Sequence, residues 1–104
     1  MKKHLLLLIL TSLFISSSSY AYTVAGAAKC GGLLSLENDG NSFTKSGTPL
    51  WVKGYITGRN YELDRSMNNL PDSDSLYYAV IKFCRDNPLK DIDDAARSIY
   101  SKIN

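Results

Sequence analysis

Apolar residues recur at helical spacing through the second half of the chain. Leu76, Tyr77, Val80, Ile81 and Cys84 form one stripe, the signature of a helix with a single buried face. Asp72, Ser73 and Asp74 are all able to cap its start, and Asn87-Pro88 stops it, because the residue before a proline avoids the helical region. Ile92, Ala95, Ala96, Ile99, Tyr100 and Ile103 carry a second such pattern to the end of the chain. Asp91 is its expected N-cap. Asp93 and Asp94 in the first turn and Lys102 in the last suit the helix dipole.

Further upstream the pattern is weaker. Thr48-Pro49 predicts a helix start, since threonine can accept from a free amide and proline suits the first helical position. Trp51, Tyr55 and Gly58 then share a face, with Gly54 beside them, and the helix is expected to end near Asn60. Two glycines in a helix cost about 1 kcal/mol each against alanine. The expected explanation is close approach of a neighbouring helix or of the Cys30 segment; the sharper alternative is a groove for a ligand or partner backbone. Lys53 and Arg59 flank the pair, so this is not a membrane-helix pairing motif. Leu33, Leu34 and Leu36 are compatible with a short helix or an extended stretch. Residues 37–47 read as a loop, 22–29 as a loose arm, and 61–71 as a connection with room for one helical turn. No strand signal matches these. The fold class is all-α: a small single-domain bundle of three to four short helices.

The first residues read as an export signal. Lys2 and Lys3 precede an apolar run from Leu5 to Ile15, and Ser19-Tyr20-Ala21 places small residues for a cut after Ala21. The run falls short of the roughly 20 apolar residues a membrane span needs, so no integral span is expected. Residues 1–21 are thus the signal peptide, and residues 22–104 the helical domain in the periplasm. A domain this small benefits from a staple. Its two cysteines, Cys30 and Cys84, read as one disulfide in an oxidising compartment. Closing that loop contributes roughly 4 kcal/mol in the chain-entropy model.

Charge changes the picture once the signal is removed. Lys2, Lys3 and the single histidine, His4, leave with it, and ten basic and ten acidic residues remain. A near-neutral domain lacks the clustered positive face of a nucleic-acid binder. Without histidine there is no Ser-His or Cys-His pair and no imidazole ligand. Asp91, Asp93 and Asp94 read as capping groups in preference to an ion site. No catalytic residue, cofactor or metal is expected, and the chain reads as a non-enzyme. The aromatic supply suggests a contact surface instead: Trp51, Tyr55, Arg59, Tyr77 and Tyr78 are the candidates, with Tyr61 nearby. Tyr77 and Tyr78 point about 100° apart on a helix, so one of them is expected at the surface.

The early cysteine, WVKGYITGRN and IKFCRDNPLKDIDDAARSI together resemble the HdeA/HdeB-like group of small bacterial periplasmic proteins. The resemblance covers most of residues 30–100 and is strongest over Phe83 to Ala96. It implies an all-helical domain with a Cys30–Cys84 disulfide and a role as an acid-stress chaperone. Such proteins are folded homodimers at neutral pH and client-binding monomers in acid. The GY-x-x-G helix and the later Asn-Pro segment are also similar to periplasmic immunity proteins of type VI secretion. That similarity implies a dedicated inhibitor of one exported effector.

Overall fold

The computed structural model describes residues 26–103; the expected signal peptide lies outside these residues. Four helices follow one another: α1, Cys30–Asn38; α2, Ser42–Glu62; α3, Ser73–Asp86; and α4, Ile92–Lys102. Among the described residues there is no strand. The chain is therefore a small all-α domain. α3 lies at the centre and packs on each of the other three helices. Its predicted stripe, Leu76, Tyr77, Val80, Ile81 and Cys84, is buried in full. Leu33 of α1, Val52 and Ile56 of α2, and Ile92, Ala95, Ala96, Ile99 and Tyr100 of α4 complete the core.

The leucine cluster after Cys30 is helical, with Leu33 buried and Leu36 half exposed. Segment 37–47 is not a loop. Only the turn around Gly40 separates α1 from α2, and α2 starts six residues before Thr48. The Asn41 side chain sets that start, accepting from Phe43 N at 2.9 Å and Thr44 N at 3.3 Å. Pro49 therefore sits inside the helix, where it removes the hydrogen bond the Lys45 carbonyl would accept. Burial of Thr48 and Pro49 against the core, together with the Asn41 cap, offsets that loss. At its other end α2 runs on to Glu62, past the expected stop near Asn60.

The starts of α3 and α4 fall where the sequence placed them. Asp72 caps α3, accepting from Ser75 N at 2.8 Å. Asp91 caps α4 through a reciprocal box: its carboxylate accepts from Asp94 N at 3.1 Å, and Asp94 accepts from Asp91 N at 3.3 Å. Between these helices, the corner at 87–91 is tied to the start of α1. Cys30 is disulfide-bonded to Cys84. In addition, Cys30 N donates to Lys90 O and Ile92 N to Ala28 O, both at 2.9 Å. The end of the expected loose arm is thus pinned, because Ala28 and Lys29 pair along residues 90–92.

Candidate protein-binding surface

Trp51 and Tyr55 lie one turn apart on α2, on the flank that turns toward α4. Both are half-buried. Their rings stack with centroids 6.1 Å apart, and Tyr55 meets the ring of Tyr100 edge-on at 6.4 Å. One turn further, the Arg59 guanidinium lies 5.5 Å from the centre of the Tyr100 ring, within cation–π range. Tyr100 is 5% exposed, and its hydroxyl donates to Asn60 Oδ1 at 2.8 Å. Helix spacing on α2 and one buried tyrosine on α4 therefore hold an ordered ridge of Trp51, Tyr55 and Arg59. Gly26 covers one end of it: a Cβ added there would lie 3.4 Å from Trp51 Nε1.

The other two candidate residues are brought to a different neighbourhood. Tyr77 and Tyr78 touch each other with centroids 5.7 Å apart. Tyr77 is not a surface residue: it faces the core at 3% exposure, whereas Tyr78 is 58% exposed. Burial, with a smaller push from Glu37, moves the Tyr77 hydroxyl pKa upward, so it stays neutral. Glu37 itself pairs with Arg85 at 3.5 Å. Tyr78 borders a shallow hollow with Glu37, Asn41 and Lys45. Of the five candidates, Trp51, Tyr55 and Arg59 share the ridge, Tyr78 is the surface tyrosine of its pair, and Tyr77 is turned inward because α3 is the central helix.

The acidic cluster is occupied with its own helix. The carboxylates of Asp91, Asp93 and Asp94 lie within 4.8 Å of one another. Asp91 and Asp94 form the capping box, and Arg97 clamps Asp93 at 2.8 Å and Asp94 at 3.0 Å. The Asp94 backbone amide holds the Asp91 carboxyl below the usual carboxylate range. Ser75 does the same for Asp72. Asp91 and Asp94 are capping groups, as the sequence suggests, whereas Asp93 is paired with Arg97.

Two features escaped the sequence pattern. A groove of about 430 Å³ runs between α3 and α4, floored by Leu76, Ala79, Phe83 and Ile99 with Lys82 and Lys102 at its rim. On α2, Phe43, Leu50 and Tyr61 are 84%, 71% and 90% exposed. Gly54 and Gly58 do not receive a neighbouring element, since an added Cβ would meet nothing within 4 Å at either. The expected close-packing role within the domain is thereby overturned. The spacing of these residues along 43–61 was the available signal, and it was hidden by starting the helix at Pro49.

No family model, curated protein or solved structure matches the chain. Among the described residues no helix is long and apolar enough to cross a membrane.

Proposed function

We propose that this chain is an exported, non-catalytic protein-binding module that holds one protein partner through the Trp51–Tyr55–Arg59 ridge, as an inhibitor or immunity protein does. The observation that carries this reading is the order of the ridge in the folded state. Tryptophan, tyrosine and arginine are the residue types that dominate binding energy at interfaces. Here Arg59 and Tyr55 are already positioned by Tyr100, so little side-chain freedom is lost on binding. Export is supported by the pattern of residues 1–21. The non-enzymatic reading is supported by the lack of histidine in residues 22–104 and by both cysteines being spent on the disulfide.

A second reading, an acid-stress chaperone of HdeA/HdeB-like type, is favoured by one specific feature. The caps of α3 and α4 are carboxylates, Asp72 and Asp91, and protonation weakens both helix starts as positive charge accumulates. Capture from periplasmic extract separates the two. One stoichiometric partner at neutral pH, lost on Arg59→Glu, is the result expected of the first reading. Many clients bound only in acid, with suppression of their aggregation, would replace it with the second. No capture under either condition would remove both.

A further inference from the structure

The groove between α3 and α4 takes no part in the ridge, and its chemistry is of a different kind. Its floor is apolar: Leu76 and Ile99 are buried, with Ala79, Phe83 and Ile103 half-buried beside them. The space above them is about 430 Å³, within the range of small-molecule sites. From Ser75 to Asp86 the groove follows α3 for about 16 Å, at 1.5 Å per residue. Pro71 before the helix and Asn87 after it complete the lining.

The charge around this floor is not balanced. Lys82 on one wall and Lys102 on the other are exposed, and neither forms an ion pair among the described residues. Asp86, one turn beyond Lys82, is the one acid among the described residues of the lining. Lys90 adds a third cation at the corner, 5.8 Å from the centre of the Phe83 ring. Asp72, at the start of α3, is engaged by the amide and hydroxyl of Ser75. An apolar trough with an unpaired cation on each bank suits a ligand with an apolar body and an anionic end.

We propose that the groove binds a single-chain anionic amphiphile, a medium-chain fatty acid. Its alkyl chain lies along Ala79, Phe83 and Ile99, and its carboxylate is taken by the rim lysines. Length and depth select this occupant. The groove is close in length to an extended dodecyl chain, whereas a partner helix is about 10–12 Å across and would rest on the rims. A bilayer surface does not follow a floor recessed between two helices. Lys102 and Tyr100 are two residues apart on α4, so their side chains diverge by about 160°. The groove and the ridge therefore lie on different sides of α4, and the site does not depend on the partner proposed for the ridge.

Titration of dodecanoate, below its micellar concentration, into the protein purified after export tests this, with amide chemical shifts as the readout. Saturation at one equivalent is expected, with the largest shifts at Ala79, Phe83, Ile99 and Ile103. Lys82→Gln combined with Lys102→Gln should weaken binding about tenfold or more, as for loss of charge-assisted contacts. Dodecyltrimethylammonium, with the same chain and the opposite charge, should bind the unmodified protein more weakly than dodecanoate. Capture of a partner through the ridge should be unchanged in the double lysine variant, which keeps the two sites distinguishable. Absence of shifts below the micellar concentration, shifts centred outside the groove, or equal binding of the two amphiphiles overturns the proposal. So does binding to phosphatidylglycerol vesicles with none to free dodecanoate, which would make the groove a membrane contact. A periplasmic protein whose capture is lost on Lys82→Glu with Lys102→Glu, and which dodecanoate does not displace, would overturn it in favour of a protein occupant.

Discussion

Tyr100 near the end of α4 and Asn60 near the end of α2, forty residues apart, are joined by a 2.8 Å hydrogen bond from the phenol to Oδ1. The same ring packs edge-on to Tyr55 and carries Arg59 on its face. One buried side chain therefore fixes both the angle between the two helices and the arrangement of the ridge. Tyr100→Phe keeps the ring and removes only the hydroxyl. It is expected to cost about 1 kcal/mol, lowering Tm by about 4–8 °C for a domain of this size. Thermal unfolding measures it. Adding Asn60→Ala should then cost little more, because the shared bond is already gone; fully additive effects would show that the bond does not couple the helices.

The acid limb of stability should depend on Asp91. Hydrogen bonding from the Asp94 amide depresses its folded pKa below the ordinary value. A depressed carboxylate contributes stability that is fully present above its unfolded value of about 4 and is lost as pH falls through the folded one. Asp72 acts with the same sign. Urea midpoints should therefore stay level from neutral pH to about 5 and fall below about 4. Asp91→Asn keeps an oxygen for the cap but cannot titrate, so its curve should fall less steeply in acid. Parallel curves for the two proteins would show that Asp91 is not part of the acid response.

The α3 and α4 patterns were legible because each couples a clear periodicity to a cap whose side chain does what its chemistry predicts: Asp72 and Asp91 both accept from the first turn. The Cys30–Cys84 pairing was legible by count alone. α2 was misread because Pro49 is a strong local signal for a helix start, and Asn41 a weaker one. Tertiary burial of Thr48 and Pro49 decided in favour of Asn41, and no local rule weighs that. The same error hid the exposed outer face of α2, which begins at Phe43, before Pro49. Tyr77 and Tyr78 were correctly separated by helix geometry, but which of them turns inward depends on how α3 sits among three neighbours.

Open space around the α2 glycines gives a stability prediction with a definite sign. Gly58→Ala adds a methyl group that meets nothing within 4 Å, in a helix interior where alanine is favoured by about 0.5–1 kcal/mol. Measured by urea unfolding at concentrations too low for association, the variant should be more stable by about that amount. If the glycine instead admitted a neighbouring element of its own domain, the same substitution would destabilise. The sign therefore separates the two roles without reference to any partner.

The disulfide and the backbone pairing beside it hold one junction, and they can be separated by experiment. Cys30→Ala with Cys84→Ala releases a crosslink between residues 54 apart. This should cost roughly 4 kcal/mol, against typical domain stabilities of about 5–15 kcal/mol. The fold should survive with a much lower urea midpoint, because the core of α2, α3 and α4 does not need the bond to pack. The loss should not be uniform. The Cys30 and Ile92 amides, bonded to Lys90 O and Ala28 O, lie in the strip that the disulfide anchors, and residue 30 becomes free to leave it. In the double-alanine variant, hydrogen exchange at these two amides should accelerate more than exchange at Val52 or Ile56 in the middle of α2. Equal acceleration everywhere would mean that the crosslink acts only on the unfolded chain. Selective acceleration at positions 30 and 92 would mean that it also fixes the N-terminal segment to the α3–α4 corner.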